Sequence, residues 1–186
     1  MENVKGADVL FKLLQLLAWQ LGGQVSTSEL GNALQLNKST VERYLDLLSK
    51  VFIIYPLNGY SNNLRKEVSK SKKWYFYDNG IRNALINNFS PLQNRNDTGQ
   101  LWEQYILGER MKHNSYSGYQ PQYFFWRTYD GQEIDLLELD NKEHLQALEC
   151  KWQSRKIKIP AAFAKAYPEA DFSVIHQDNY LEWIVG

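Results

Sequence analysis

Two carboxylates and a lysine gather in the second half of the chain. Asp135 lies in Glu133-Ile134-Asp135-Leu136-Leu137, and Glu149 and Lys151 flank Cys150; a further acid, Glu103, stands upstream. Alternate residues of a strand share a face, so Glu149 and Lys151 point together while Leu148, Cys150 and Trp152 point into a core. Antiparallel pairing through a short turn would bring Asp135 alongside Glu149 near one end of the sheet. Carboxylates held so close are costly unless a cation or a partner neutralises them, and their repulsion raises at least one pKa. The chemistry such a set invites is the binding of a cation.

The elements that must position these groups are legible in the surrounding pattern. Trp102 to Lys112 reads as the helix carrying Glu103. The aromatic run Tyr123-Phe124-Phe125-Trp126-Arg127 reads as a strand, and Leu136 to Leu139 and Leu145 to Trp152 as two more, separated by the turn signal Asp140-Asn141. Pro160 to Tyr167 fits a short helix, Asp171 to His176 a further strand, and Tyr180 to Val185 a terminal strand. Cys150 lacks an adjacent base and reads as an inert buried thiol.

A helix-borne Glu, an Asp opening one strand and Glu-x-Lys on the next resemble the PD-(D/E)XK nuclease fold. The wording Gly99-Gln100-Leu101-Trp102-Glu103, Phe125-Trp126-Arg127, Glu133-Ile134-Asp135-Leu136 and Glu149-Cys150-Lys151 is similar to the C-terminal region of AAA-type ATPases of bacteria and archaea, as is Lys73-Trp74-Tyr75-Phe76-Tyr77-Asp78-Asn79-Gly80-Ile81. In that family an ATPase domain precedes a winged helix and a nuclease-like domain. The resemblance implies that Asp135 and Glu149 hold Mg2+ or Mn2+, with the Cys150 carbonyl as a further ligand. Glu103 would orient a water or complete the shell, and Lys151 would face the scissile phosphate or the attacking water. It also implies an ATPase partner, on the same polypeptide or a separate subunit, because no Gly-x-x-x-x-Gly-Lys-Ser/Thr stretch is present. Against this stand plainer readings. Glu-x-Lys is also a common solvated pair, Glu103 also suits a helix dipole, and nuclease-like folds also serve as inactive scaffolds.

The first half prepares a different surface. Ala7 to Leu21 is apolar almost all round, which suggests a helix buried between other elements and a chain that works with an upstream ATPase. Ser26-Thr27-Ser28 offers caps for a helix over Glu29 to Leu34. Ser39-Thr40-Val41-Glu42 matches a capping box, with Ser39 as N-cap, for the next helix. The pair fits a helix-turn-helix or a plain helical hairpin. Phe52 to Leu57, ending in the turn dipeptide Asn58-Gly59, and Lys73 to Asp78 read as strands flanking a wing, followed by a helix over Ile81 to Asn87. Lys38 and Arg43 on the second helix and Arg65, Lys66, Lys70, Lys72 and Lys73 on the wing are the candidates for DNA phosphates; a solvated loop accounts for the same lysines. The loop Asn87 to Asp97 sets the domain boundary. The expected fold is a winged helix-turn-helix (1–92) followed by a restriction-endonuclease-like PD-(D/E)XK α/β domain (93–186), α+β and α/β in class.

Composition limits the rest. The 186 residues are 44% hydrophobic and 23% charged, with zero formal net charge, so any nucleic-acid contact must come from local patches. Cys150 is the sole cysteine, which excludes an internal disulfide and agrees with a reducing cytoplasm. His113, His144 and His176 lie far apart, which argues against zinc. The apolar run Val9 to Leu21 is interrupted by Lys12, Gln15 and Gln20, so neither a signal peptide nor a membrane span fits it, and a soluble protein is expected.

Overall fold

The computed structural model describes residues 2–61 and 72–185. Seven strands and seven α-helices are mixed along these residues. The chain divides into two compact units, Met1–Pro56 with Ser71–Arg95, and Leu57–Lys70 with Asn96–Gly186. The sequence places a single boundary between 92 and 93; by contacts, residues 57–61, which precede it, group with the second unit.

In the first unit, α1 (Glu2–Trp19) leads through β1 (Gln24–Val25) to α2 (Thr27–Leu34) and α3 (Lys38–Lys50); then come the start of β2 (Ile54–Gly59), β3 (Lys72–Phe76) and α4 (Asn79–Leu85). Leu13, Leu17, Leu30, Val41, Leu45, Leu48, Ile54, Tyr75 and Phe76 form its interior. α1 is not buried all round, for Phe11 and Trp19 are exposed. The Ser26 hydroxyl accepts from the Glu29 amide and caps α2 as expected. The cap of α3 is Asn37, not Ser39: its Oδ1 accepts the Thr40 amide at 2.8 Å. Ser39 donates to that same oxygen from inside the first turn, so it cannot serve as the cap. Between the two helices, a Cβ on Gly31 would meet the Leu36 carbonyl at 2.7 Å, so only glycine allows this tight turn, completed by Gln35 at φ 56°.

β1 and β3 pair antiparallel, Gln24 with Lys73 and Val25 with Lys72. The Asp78 carboxylate accepts the Ile81 amide and starts α4 earlier than the sequence suggested. Arg82, 3% exposed, reaches back to the Ala18 carbonyl at 2.9 Å and ties α4 to α1. A 3-10 turn, Leu92–Asn94, closes the unit.

The second unit holds the end of β2, α5 (Thr98–Ser117), β4 (Gln122–Arg127), β5 (Glu133–Leu139), β6 (Leu145–Cys150), α6 (Ala161–Ala166), β7 (Asp171–Ile175) and α7 (Leu181–Ile184). Asn58-Gly59 does not turn. Both residues continue the strand in parallel register with Phe124 and Phe125, and the Tyr60 amide extends the ladder to the Phe125 carbonyl. Antiparallel pairings join β4 to β5 and β5 to β6, and a parallel one joins β6 to β7. Trp126, Ile134, Leu137, Ala147 and Phe163 pack together as the core between β4–β6 and α6.

The expected terminal strand over Tyr180 to Val185 is a helix. Asn179 donates to the Val174 carbonyl and accepts the His176 amide, turning the chain off β7. Arg110 on α5 then donates to the Trp183 carbonyl and lies 5.5 Å from its ring centre. The same Arg110 grips the 1% exposed Glu138 with two bonds of 2.8 and 2.9 Å, and Asn114 adds a third at 2.9 Å. A buried carboxylate so fully satisfied anchors α5 to β5.

Candidate active site

The β5–β6 hairpin brings the predicted acids together. Asp140 makes the turn: its Oδ1 accepts the amides of Lys142 and His144 at 2.8 Å each, and Glu143 takes the left-handed conformation at φ 62°. That turn fixes the register Leu136 opposite Leu148, so the next position along sets Asp135 beside Glu149. Asp135 is 8% exposed, and its Oδ2 accepts the Cys150 amide at 2.8 Å.

Lys151 leaves the end of β6, where its amide donates to the Ile175 carbonyl. Its ammonium donates to Glu149 Oε1 at 2.5 Å and stands 3.8 Å from Asp135 Oδ2. The other oxygen of Glu149, Oε2, is buried and accepts no hydrogen bond among the described residues. Burial first, and then the charge of Asp135, raises the Glu149 pKa from 4.5 to about 7 against the pull of Lys151; Glu133 adds a smaller push. Burial pulls Lys151 down, but Asp135, Glu149 and Glu103 outweigh it and hold its pKa above the ordinary value. Cys150 is 5% exposed, and burial followed by the surrounding acids pushes its thiol well up, so it stays protonated and inert.

Glu103 rides on the first turns of α5. Trp102 beside it is locked by edge-on contacts with Trp152 and Tyr180, ring centres 5.4 and 5.3 Å away, and by its indole N–H on the Ile175 carbonyl at 3.4 Å. Glu103 is close enough for its charge to bear on both Cys150 and Lys151. Asp135, Glu149, Lys151 and Glu103 thus share one neighbourhood. Sequence reasoning missed Glu133, whose charge reaches Glu149 while its carboxylate pairs with Arg127 at 3.4 Å. The signal was available, since Glu133 precedes Asp135 by two on one strand face. Among the described residues, no three His, Cys, Asp or Glu side chains stand in a ready ligand geometry for a metal ion.

The basic candidates are scattered. Lys38 and Arg43 are exposed on α3, but Lys38 lies 3.6 Å from Glu42, and Asp46 and Lys50 pair at 2.6 Å, leaving the helix surface nearly balanced. Lys72 is exposed, whereas Lys73 is 1% exposed on β3 and is not presented to a phosphate. Arg65, Lys66 and Lys70 lie outside the described residues. No helix among the described residues is long and apolar enough to cross a membrane.

Residues 1–92 match a family described as a domain of unknown function (DUF8612), and residues 98–183 match another so described (DUF4143). An uncharacterised protein of Mycobacterium tuberculosis is 29% identical over 132 residues, which cover 69% of this chain and 29% of that protein. An uncharacterised protein of Methanocaldococcus jannaschii is 36% identical over 83 residues (45% and 17%), and one of Haemophilus influenzae 28% over 89 residues (45% and 22%). The chain thus spans less than a third of the length of these curated relatives. No solved structure gives a significant match.

Proposed function

We propose that the second unit is a metal-dependent, nuclease-like domain of the PD-(D/E)XK type, and the first a winged helix that meets DNA. Together they would form the C-terminal portion of an AAA-type ATPase, or a subunit working beside one. The observation that supports this reading is the convergence of Asp135, Glu149 and Lys151 at the end of one hairpin, with Glu149 Oε2 buried and unbonded among the described residues. An acceptor left in that state favours a hard cation, and Asp135 and Glu149 supply the oxygens that Mg2+ or Mn2+ takes. Such an ion, when bound, makes water a better nucleophile and offsets charge on the phosphate.

The protein's own groups divide the remaining work. Lys151 keeps its ammonium at neutral pH and offers it to a phosphate oxygen. Glu149 sheds its proton near pH 7 as a cation arrives, so ion uptake is coupled to proton release. Glu103 approaches from α5 and adds negative charge on the side of Lys151. Lys38, Arg43 and Lys72 supply exposed positive charge for backbone phosphates.

A second reading, a catalytically silent DNA-binding or protein-interaction module, draws support from the two ion pairs on α3 and from the lack of a three-ligand cluster among the described residues. Plasmid cleavage in Mg2+ or Mn2+ separates the two. Asp135→Ala, Glu149→Ala and Lys151→Ala should each lower the rate by about 100-fold or more. Equal cutting by all four proteins would mark a contaminant. No cutting, together with no Mn2+ uptake by titration, would remove the nuclease reading and leave the silent module.

A further inference from the structure

A recess lies away from the acids of β5 and β6, at the turn end of the same hairpin. A cleft of about 470 Å³ opens there, lined by Tyr60, Leu139, Glu143, His144, Leu145, Tyr167, Pro168, Glu169 and Ala170. Its size is that of a small-molecule pocket. Its walls are aromatic and apolar: Tyr60 and Tyr167 meet with ring centres 5.5 Å apart, and Phe124 backs Tyr60 at 5.3 Å. Tyr60 is held from behind by its amide on the Phe125 carbonyl at 2.7 Å, so the ring faces the cleft from a fixed backbone. Its rim is acidic. Glu143 and Glu169 are exposed, and the lining residues include neither Lys nor Arg. The one basic group in the lining, His144, is engaged by Asp171 at 3.0 Å, so it does not offset the two glutamates.

We propose that this cleft binds an organic cation, a guanidinium or alkylammonium group on an apolar stem. The Tyr60 ring, half-buried and backed by the buried Tyr167, would cover the stem and attract the charge through its quadrupole, and Glu143 and Glu169 would pair with its head. Neither tyrosine alone nor two surface glutamates alone would select such a ligand. A preformed recess that combines them does. The site shares no residue with the Asp135–Glu149–Lys151 group and stands whether or not that group is catalytic.

The test is an NMR titration of the 15N-labelled full chain with agmatine, with N-acetylarginine N-methylamide, and with the neutral N-acetylnorleucine N-methylamide. Both cations should move the amide signals of Tyr60, His144 and Ala170 saturably, and the norleucine derivative should not. Glu143→Gln with Glu169→Gln, both at exposed positions, should weaken the cations about tenfold while leaving the rest of the spectrum in place. Tighter agmatine would identify a diffusible amine as the ligand, and tighter blocked arginine a side chain of a polypeptide; either supports the site. Equal shifts with the neutral derivative, no shifts at all, or cation binding unchanged in the double variant would overturn it.

Discussion

Glu149 holds its proton more tightly in the fold than in the unfolded chain, because burial and Asp135 both penalise its charge. Between pH 4.5 and about 7 the folded state therefore binds more protons than the unfolded one, and stability falls as pH rises through that window. Below the window both states are protonated and the penalty vanishes; above it the penalty is complete. Glu149→Gln removes the charge while keeping the shape, though Lys151 loses its partner at 2.5 Å. The variant should gain about 1–2 kcal/mol at pH 8 and be neutral at pH 4, as read from urea unfolding at the two pH values. A gain of the same size at both would mean that the penalty is not ionic.

Element by element, the pattern of polar and apolar residues predicts more than the turns do. The α-β-β-β-α-β order and the register that joins Asp135 to Glu149 follow from alternation and from the Asp140 turn, both local signals. The cap of α3 was misplaced by two residues because Ser39 and Asn37 carry similar chemistry, and only the fold decides which oxygen meets the Thr40 amide. Asn37→Ala should therefore cost about 1 kcal/mol in thermal or urea unfolding, and Ser39→Ala only a few tenths; the reverse order would restore the sequence-based cap. Tyr180 to Val185 is apolar and aromatic enough to read as a strand, yet it is a helix that Arg110 holds by the Trp183 carbonyl from α5, far off in sequence. Asn58-Gly59 misleads for the same reason, since Phe124 and Phe125, which keep it extended, lie in the other half of the chain. The orphaned oxygen of Glu149 is likewise invisible before the fold, because spacing shows which acids meet and not which of their atoms are left over.

For the molecule as a whole, β2 sets the terms on which the second unit exists. Its last residues pair with β4, and Tyr60 just beyond it packs on Phe124 and Tyr167, although Asn58, Gly59 and Tyr60 precede the boundary loop in sequence. A fragment starting at residue 98 loses that strand end and bares the β4 edge, so it should melt about 5 °C or more below a fragment starting at residue 54, and aggregate more readily. Equal melting by circular dichroism would show that the borrowed strand adds nothing. The same borrowing carries a consequence for how the protein is made. Asn58 and Gly59 leave the ribosome well before their partners Phe124 and Phe125, and at about 5–20 residues per second the wait lasts several seconds. Through that interval the strand edge that β4 will take has no β4 to meet it, and the second unit cannot finish folding until the first half of the polypeptide gives up a piece of itself.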